Sequence, residues 1–460
     1  MSSPVVMKFG GTSVANAGAM QHASRIVARA REAGTPIVVV VSAMAGVTDL
    51  LISACEAAGS GSTGDVARIV AALAARHSEV VERLFVASPA GQSLLEGITE
   101  ECGDLSQLLA RPGTAAGLTG PQSDRALAAG ELMSSRIFAA LLAADGVPAR
   151  WIDSRRVVVT NDSFGAALPL DLTRAAAARE VAPALSANEV AVLAGFIGAT
   201  PDGLTTTLGR GGSDFSAALI GAALDAREIQ IWTDVDGMLT SDPRLVRGAM
   251  PVERLSFEEA SELAYFGAKV LHPSTILPAV EKSIPVRILN TMRPGAAGSL
   301  IAADAPRREG RLTAIACKRR ITLINITSTR MLLAYGFLRR VFEVFERHAT
   351  CVDVVTTSEV SVSVTVDDDR RVDAIAKDLT EIASLQVERG MAIISAVGDN
   401  LRTDPSIAVD VVTTLGRFPL RMVSQAASRR NVTVVLHDDD VPAAMRGLHE
   451  EFFSAIGVEH

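Results

Sequence analysis

The chain has 460 residues, of which 48% are hydrophobic and 21% charged, a composition typical of globular rather than disordered proteins. At about 150 residues per domain, this length predicts roughly three domains. Asp and Glu outnumber Lys and Arg by 52 to 44, which gives a formal net charge of -8. That balance argues against a nucleic-acid partner and against binding to an anionic membrane surface.

Cysteine spacing and the lengths of the apolar runs bear on the cellular compartment. Cys55, Cys102, Cys317 and Cys351 form no C-x-x-C pair, so we expect neither a disulfide framework nor a zinc site. The N-terminus lacks the basic region of a signal peptide. The clearest apolar run, Ile37–Val47, is shorter than the ~18 residues that span a bilayer. The sequence therefore predicts a soluble cytoplasmic protein.

Apolar runs alternate with helical stretches through the first 300 residues. We predict strands at Val5–Phe9, Ile37–Val41, Val190–Ile197 and Glu228–Thr233, and helices at Ala19–Ala33 and Asp65–Phe85. Such alternation is typical of a mostly parallel sheet that is covered by helices on both faces. Ligands of these sheets bind beyond the carboxyl ends of the strands, so functional motifs are expected there.

The pattern changes at Thr291–Gly310, a stretch with two prolines and three glycines that predicts a linker. Beyond it, Phe337–Asp369 can be placed without gaps on Ile407–Asp439, a shift of 70 residues in the printed numbering. Val362 then meets Val432, and the other apolar positions and the Asp-Asp pairs also coincide. This match predicts a duplicated module.

Each copy of the module is expected to follow the order βαββαβ. The predicted elements of the first copy are the strands Ile321–Thr327, Cys351–Thr356, Ser361–Val366 and Leu385–Glu388, and the helices Gly336–His348 and Arg371–Ile382. The second copy begins with the strand Ala392–Val397 and lacks a last strand after the helix Val441–Phe453. We infer that Leu312–Cys317 supplies this strand, so that one module is inserted within the other.

The segment VVMKFGGTSV places a lysine, Lys8, at the end of a strand and before Gly10, Gly11, Thr12 and Ser13. Glycines let a backbone approach a phosphate closely, and free N–H groups and hydroxyls bind its oxygens. Lys8 would add a positive charge. The alternative interpretation is a solvated lysine before an ordinary turn.

A second glycine-rich segment, TLGRGGSD, carries Arg210 and Asp214. Arginine suits the bidentate capture of a carboxylate, and Asp214 could orient an ammonium group or a lysine. The segment could also be a plain loop, but three glycines around one Arg–Asp pair favour a ligand site.

Two further segments are weaker signals. WTDVDG followed by SDPR could bind ribose hydroxyls and a base through Thr233 and Asp234, although this is also ordinary turn chemistry. FGAKVLHP offers Lys269, whereas His272 precedes a proline and is more typical of a structural residue. Gly59–Gly64 matches the dinucleotide spelling G-x-G-x-x-G but follows a predicted helix, so we interpret it as a helix–helix connection.

Taken in order, KFGGTSV, VVSAMAGVT, GELMSS, GFIG, TTLGRGGSD, WTDVDG with SDPR, and FGAKVLHP resemble the motifs of aspartate kinases over nearly the whole chain. VDVVTTSEVSVSVTVD resembles the ACT domains of that family. The resemblance implies an α/β chain with an amino-acid-kinase fold, a mostly parallel sheet between helices, followed by two βαββαβ ACT domains. It implies a catalytic domain at 1–300, a first ACT domain at 319–390, and a discontinuous second one at 311–318 and 391–460.

The same resemblance implies ATP-dependent phosphorylation of the side-chain carboxylate of L-aspartate, with Mg²⁺ held mainly by the nucleotide phosphates and no metal site on the protein. Lys8 and Asp214 would be catalytic. The implied ATP-binding residues are Lys8, Gly10, Gly11, Thr12, Ser13, Thr233, Asp234, Arg244, Lys269 and Val270. The implied aspartate-binding residues are Ser42, Thr48, Glu131, Phe196, Arg210, Gly211, Gly212, Ser213 and Asp214, with Arg210 on the α-carboxylate and Glu131 on the ammonium. Leu239 stands where relatives often carry a tyrosine.

The resemblance further implies feedback inhibition by L-lysine at the first ACT domain. The implied effector residues are Met331, Ala334, Phe337, Leu338, Val352, Asp353, Ser358 and Glu359, with Ala334 in place of a common serine. We expect a monofunctional enzyme that forms a homodimer or homotetramer through its ACT domains. A hypothesis of another class, a catalytically silent amino-acid sensor, stays open at this stage. Four residues argue against it: Lys8, Arg210, Asp214 and Lys269.

Overall fold

The computed structural model describes residues 2–110, 117–267, 271, 273–305, 311–328, 335–401, 403–425 and 429–454. These residues pack into two compact units. The first unit holds the described residues of Met1–Met238, Glu253–Phe257 and Val270–Ala305, and the second holds those of Leu239–Val252, Glu258–Lys269 and Pro306–His460.

An eight-stranded sheet forms the centre of the first unit, in the order β3-β4-β2-β1-β7-β9-β10-β8. Its strands are β1 Val5–Phe9, β2 Ile37–Val41, β3 Ala149–Ile152, β4 Val190–Ala194, β7 Glu228–Thr233, β8 Arg254–Leu255, β9 Val286–Asn290 and β10 Ser299–Ile301. The first six strands in this order, which are β3, β4, β2, β1, β7 and β9, run parallel to one another, and β10 is antiparallel to β9. Every residue of β1, β2 and β4 is buried, as expected for strands that are covered on both faces.

Helices cover this sheet, and a two-stranded ribbon of β5 Ile197–Ala199 and β6 Thr205–Thr207 lies beside it. The helices are α1 Ala17–Glu32, α2 Val47–Gly59, α3 Thr63–Leu84, α4 Pro89–Leu109, α5 Gly120–Leu127, α6 Ala129–Ala144, α7 Leu172–Glu180, α8 Ala182–Ser186, α9 Gly212–Ala223 and α11 Leu277–Glu281. Local sequence sets their starts: Asn16 accepts a hydrogen bond from the N–H of Ala19, and Ser88 caps α4 ahead of Pro89. The segment Gly59–Gly64 connects α2 to α3, as predicted.

The structure corrects two sequence expectations about this unit. The predicted strand Val190–Ile197 is two strands, β4 and β5, because Phe196 between them has a left-handed φ of 69°. The predicted linker Thr291–Gly310 contains a strand, β10, which pairs with β9 and β8. The stretch Gly120–Ala144 is long and apolar enough to cross a membrane, but 78% of its most apolar window is buried, as in a core helix.

A six-stranded antiparallel sheet, in the order β12-β13-β11-β14-β16-β15, organises the second unit. Its strands are β11 Arg311–Thr327, β12 Val355–Thr357, β13 Ser361–Val366, β14 Ser384–Asp399, β15 Met422–Gln425 and β16 Asn431–His437. Each of the two long strands serves both repeats. Leu312–Arg319 of β11 pairs with the second half of β14, and Leu323–Thr327 pairs with its first half, with register shifts in between.

Two hydrophobic cores cover this sheet, one for each repeat. One core packs α12 Phe337–Arg347 and α13 Val372–Thr380, and the other packs α14 Pro405–Leu415 and α15 Val441–Phe453. Val362 and Val432, which the 70-residue shift superposes, are both buried, one in each core. The predicted strand Cys351–Thr356 is wrong over its first four residues, since the regular strand is Val355–Thr357.

Two segments N-terminal to residue 300 belong to the second unit. Leu239–Val252 forms a loop closed by a bridge between Leu239 and Pro251, and Val246 of this loop joins the core of α14 and α15. Most of α10, Phe257–Tyr265, also belongs to the second unit. The compact units therefore divide the chain differently from a single cut near residue 300.

Candidate active site

A cavity of about 360 Å³ opens at the carboxyl ends of β1 and β2, inside the first unit. Its walls come from five parts of the chain that the sheet topology brings together. They are Lys8, Gly11, Ser42, Ala43, Met44, Ala45, Gly46, Thr48, Glu131, Phe196, Gly209, Arg210, Gly211, Gly212, Ser213 and Asp214. All nine residues that the resemblance implied for the substrate line this one cavity. Sequence reasoning named none of Ala43–Gly46 individually, although these residues lie inside the quoted motif VVSAMAGVT.

The floor of the cavity holds an ion pair. Lys8 lies in β1, and its Nζ is 2.6 Å from Oδ1 of Asp214 in the first turn of α9. Both side chains are mostly buried, with 11% and 15% exposure. Because partial burial weakens screening by water, the ion pair holds the lysine ammonium in one place at the carboxyl end of β1. The two residues predicted to be catalytic are thus in direct contact.

Gly10 and Gly11 follow β1, the strand that carries Lys8. Gly11 begins a short 3-10 turn, and a Cβ on it would lie 3.0 Å from the carbonyl oxygen of Ala43, so only glycine fits without a shift. Thr12 is exposed. The hydroxyl of Ser13 is already engaged, at 2.6 Å from the hydroxyl of Thr291 and donating to the Trp232 carbonyl at 3.3 Å. Ser13 therefore ties β1 to β7 and β9 in this structure.

Thr233 is the last residue of β7, the strand next to β1 in the sheet, and Asp234 follows it. The Thr233 hydroxyl donates to Oδ1 of Asp234 at 3.1 Å, and Asp234 is exposed. Parallel strands end at one edge of the sheet, so these residues lie on the same edge as Lys8.

Glu131 is the most deeply buried acidic group of the cavity. It lies in the first turn of α6 with 3% exposure, and α6 is fastened to the loop after β2 by the Ser134 hydroxyl, which donates to the Ser42 carbonyl at 2.7 Å. Desolvation raises the pKa of Glu131 to about 8, and a backbone hydrogen bond with Ala43 opposes this only in part. Oε2 of Glu131 has no hydrogen-bond partner among the described residues. A buried carboxylate oxygen of this kind is poised for a cationic ligand.

Arg210 is the cationic counterpart. It sits between Gly209 and Gly211, whose φ values of 73° and 71° are the left-handed geometry that glycine adopts without strain. The guanidinium is exposed and pairs with no carboxylate in the part of the chain that the structure describes. Gly211 also caps α9, a 12-residue helix whose N-terminus faces the cavity and favours anions there.

Phe196 shapes one wall at a conformational cost. Its φ of 69° is unusual for a bulky residue. Two hydrogen bonds hold it there: its N–H donates to the Ser216 hydroxyl at 2.9 Å, and its carbonyl accepts from the N–H of Leu208 at 2.9 Å. Strain retained by surrounding contacts is typical of functional sites.

The second unit contains the residues predicted for an effector. Asp353 is paired there: its Oδ1 is 2.8 Å from Nζ of Lys318 and 3.3 Å from the hydroxyl of Tyr265. Lys318 also lies 2.8 Å from Oδ2 of Asp367. Oδ2 of Asp353 has no partner among the described residues, and burial raises the pKa of this carboxyl although Lys318 opposes the shift. We refer to Lys318, Asp353, Asp367 and Tyr265 as the Lys318 cluster.

The other predicted effector residues differ in accessibility. The Phe337 side chain is buried in the core of its repeat, so only its backbone at the start of α12 is available to a ligand, whereas Leu338 is 39% exposed. Val352 packs against the same core. The Ser358 hydroxyl is 2.6 Å from that of Ser361, and Glu359 is exposed in the turn between them. Met331 and Ala334 lie outside the described residues.

Three predicted nucleotide residues remain. Lys269 and Val270 lie outside the described residues. Arg244 belongs to the second unit, where its Nη2 is 2.6 Å from Oδ2 of Asp242. As for a metal on the protein, the described residues contain no cluster of three or more His, Cys, Asp or Glu side chains that could hold one.

Comparison with known proteins adds independent information. Residues 3–290 match the sequence profile of the amino acid kinase family, and residues 394–452 match an ACT domain. The chain is 38% identical to lysine-sensitive aspartokinase 3 of Escherichia coli over 98% of its own length and 100% of that protein. It is 39% identical to chloroplastic aspartokinase 3 of Arabidopsis thaliana, over 97% of its own length and 81% of that protein.

Solved structures of aspartokinases also match this chain. E. coli aspartokinase III in complex with aspartate and ADP, in the R-state, matches with a TM-score of 0.85 and 35% identity, covering 98% of this chain and all of that one. The T-state of the same enzyme, with lysine and aspartate, matches with a TM-score of 0.83 and 36% identity over the same shares.

Proposed function

This chain belongs to the aspartokinase family, and we propose that the cavity at the end of β1 holds L-aspartate while ATP donates its γ-phosphoryl group to the aspartate side chain. The product is 4-phospho-L-aspartate, an acyl phosphate that enters lysine, threonine and methionine synthesis. In the transfer, a side-chain carboxylate oxygen forms a bond to the γ-phosphorus, and the bond from that phosphorus to the bridging oxygen of ADP breaks.

One observation supports this proposal above all. The same cavity offers a buried carboxylate, Glu131, and a guanidinium, Arg210, and neither forms an ion pair within the described residues. The backbone end of an amino acid carries one ammonium and one carboxylate group, which matches this pair of charges. Glu131 therefore binds the α-ammonium and Arg210 the α-carboxylate, and the side chain is left to face Lys8. Ser42, Thr48, Phe196 and Ser213 complete the walls.

Lys8 acts on the phosphoryl group. Phosphoryl transfer depends on positioning and on neutralising charge on the phosphate oxygens, and it needs little covalent help from the protein. The 2.6 Å contact with Asp214 restricts the Lys8 ammonium to one position in the cavity, which supports this role. Gly10, Gly11 and the N-terminus of α9 supply backbone N–H groups around it. Thr233 and Asp234 are placed to hold the rest of the nucleotide.

Magnesium enters with the nucleotide. Mg²⁺ usually keeps several waters and is bound by phosphate oxygens together with one or two carboxylates. The exposed carboxylate of Asp234, on the edge of the sheet where Lys8 ends, fits such a limited role. When bound, the metal supplies positive charge to the phosphate oxygens.

Regulation is assigned to the second unit. L-lysine binds beside the start of α12 and inhibits the enzyme, with Asp353 and Glu359 as partners for its two ammonium groups. The exposed edge strand β12, together with the exposed apolar side chains of Leu338, Phe342 and Val355, is suited to pack against a second copy of the chain. The assembly is a homodimer or homotetramer, and the compartment is the cytoplasm.

The direct test is ADP release with L-aspartate as substrate, and with L-glutamate and UMP as controls for other substrates of this fold. ADP that depends on aspartate, with an acid-labile phosphate product, is the expected result. A folded protein that binds aspartate without releasing ADP would instead be an amino-acid sensor.

Replacing Lys8 separates phosphoryl transfer from binding. Loss of one charge contact made in the transition state costs about 2.7–4 kcal/mol, so Lys8→Ala should lower kcat by ~10²–10³. Its aspartate Kd, measured by calorimetry, should change far less. A variant that keeps most of its kcat at saturating ATP would remove Lys8 from the phosphate site.

A further inference from the structure

Asp124 is a buried carboxylate just outside the cavity, and the roles assigned above do not include it. It lies in α5 with 1% exposure, and both its oxygens accept hydrogen bonds. Oδ2 accepts from the N–H of Thr207 at 2.7 Å and from the N–H of Gly165 at 3.0 Å, and Oδ1 accepts from the Thr207 hydroxyl at 3.0 Å. A charged acceptor forms stronger hydrogen bonds than a neutral one, so this side chain fastens two loops to α5.

The fastened segment leads directly to Arg210. Thr207 ends β6, and Leu208–Gly211 then cross to the N-terminus of α9. On the cavity side, the N–H of Leu208 donates to the carbonyl of Phe196. On the outer side, the carbonyl of Thr207 accepts from the N–H of Ala167 at 2.9 Å. Thr207 and Leu208 are thus hydrogen-bonded to three partners, which are Asp124, Phe196 and Ala167. Asp124 supplies the only charged group among these contacts.

Arg210 itself is exposed and forms no ion pair within the described residues, so its own side chain does not determine where the loop lies. Gly209 and Gly211 adopt left-handed φ values of 73° and 71°. The Gly209 carbonyl accepts from the N–H of Gly212 at 3.0 Å, which joins the far end of the loop to α9. At the end that leaves β6, the position of the Arg210 backbone therefore depends on the anchor at Thr207. A shift of about 1 Å in a binding group is enough to reduce its contribution severely.

We propose that Asp124 is a positioning residue that sets the aspartate affinity of the cavity through the Thr207–Gly211 loop and Arg210. This inference rests on the proposed function, because it takes Arg210 as the group that binds the α-carboxylate. Asp124 does not line the cavity. Its removal weakens aspartate binding and leaves the ATP side, which is built on β1 and β7, unaltered.

The experiment compares Asp124→Ala with Asp124→Asn. The alanine variant loses all three hydrogen bonds, and we expect the aspartate KM to rise about tenfold or more, with the ATP KM and kcat changed by less than about threefold. The asparagine variant should come close to wild type, since its amide oxygen can accept from both N–H groups while its NH₂ donates to the Thr207 hydroxyl. Equal effects of alanine and asparagine would overturn the proposal.

A double-mutant cycle tests the route through Arg210. If Asp124 acts through Arg210, Asp124→Ala adds little to the aspartate KM of Arg210→Ala, whereas additive effects would contradict the proposal. Glu101→Gln is the matched control: this carboxylate is similarly buried and pairs with Arg125, the neighbour of Asp124, but does not touch the loop. Its aspartate KM should stay at the wild-type value.

A second variant and a comparison with wild-type activity separate a folding failure from a failure of the proposal. If Asp124→Ala does not fold, Thr207→Val, which loses only the hydroxyl contact, should raise the aspartate KM a few-fold, and an unchanged KM would overturn the proposal. A wild-type protein without aspartate-dependent ADP release would refute the proposed function itself. An active wild type with a normal KM in folded Asp124→Ala would refute only this inference.

Discussion

Glu131 in the first unit and Asp353 in the second are both buried carboxylates proposed to bind an amino-acid ammonium group, yet their surroundings differ. Glu131 has no cation beside it within the described chain, and its pKa is raised to about 8. Asp353 has the Lys318 ammonium 2.8 Å away and the Tyr265 hydroxyl beside it. In one unit the ligand would supply the missing positive charge, and in the other a side chain of the protein already supplies it.

This difference in pairing shows how a buried carboxylate can serve a substrate site in one case and a regulatory site in the other. A desolvated acid without a partner stores unfavourable free energy that an incoming ammonium releases, so binding is strong but depends on pH. An acid with an internal partner exchanges one cation for another, so the net gain is smaller and the site responds only to higher ligand concentrations.

The largest effect should follow from Glu131→Gln. The glutamine keeps the shape of the side chain and removes its charge, which leaves the substrate ammonium buried without an anion. Breaking a buried charge pair on one side costs about 3–5 kcal/mol, so the aspartate KM should rise about 100-fold or more. Steady-state kinetics at saturating ATP measures this, and a rise of only a few-fold would mean that Glu131 does not bind the ammonium.

The same variant has an opposite effect on stability. Because the pKa of Glu131 is about 8 in the folded protein and 4.5 as a free side chain, the folded state binds more protons between these values. Stability therefore falls as the pH rises from about 4.5 to 8. Glu131→Gln removes this slope, so its Tm should exceed that of wild type at pH 9 and by less at pH 5. Thermal unfolding at the two pH values checks the sign.

Proton linkage of substrate binding is the second test. The ammonium of aspartate pairs with ionised Glu131, so the wild-type enzyme must lose a proton to bind it below pH 8. The aspartate Kd should weaken by up to about tenfold for each unit of pH lowered from 8 to 6. Calorimetry in buffers of different ionisation enthalpy should detect the released proton. Glu131→Gln is the control, and a flat wild-type profile would contradict the unpaired state of Glu131.

Lys318→Met tests the other half of the comparison. Without the Lys318 ammonium, Asp353 becomes an unpaired buried carboxylate like Glu131, and free lysine no longer has to displace an internal cation. We expect half-maximal inhibition at a lysine concentration about tenfold lower. Lys318→Arg keeps the charge and should stay near wild type. Unchanged or weaker inhibition in Lys318→Met would show that the cluster and the effector do not compete.

The smallest effect concerns Phe196. Phe196→Ala and Phe196→Gly both remove the aromatic wall of the cavity, but only alanine keeps a side chain at a left-handed φ of 69°. The glycine variant should therefore be more stable than the alanine variant by about 1 kcal/mol. Urea unfolding compares the two, and equal midpoints would mean that the backbone relaxes once the ring is gone.

Much of this architecture could be predicted from the sequence because its signals are local. Fully buried strands such as Ile37–Val41 are continuous β-branched runs, and the repeat in the second unit preserved apolar positions such as Val362 and Val432. The nine residues that the resemblance implied for the substrate share one cavity, whereas Ala43–Gly46 in its wall were not named individually. Family membership and the amino-acid-kinase and ACT folds were confirmed by comparison with known proteins.

Other features depend on contacts between distant residues, for which a single sequence has no signal. Lys318 and Asp353 are 35 residues apart, and Asp124 and Thr207 are 83 apart. Phe196 carries no local sign that its φ is positive, and so Val190–Ile197 was predicted as one strand. Likewise, nothing near Ser13 indicates that its hydroxyl is engaged by Thr291, which matters for a residue expected to face a phosphate.

The two long strands β11 and β14 have a consequence for how the chain is made. As the ribosome delivers the polypeptide, Leu312–Arg319 emerges early, but its partners in the second half of β14 emerge only after the entire first repeat. Until then this edge is an unpaired strand that could pair with the wrong chain. We expect nascent chains that stop before residue 391 to be prone to aggregation, and chains that reach residue 399 to bury this edge. Because one repeat is inserted within the other, the sheet of the second unit cannot be completed before the second half of β14 has been synthesised.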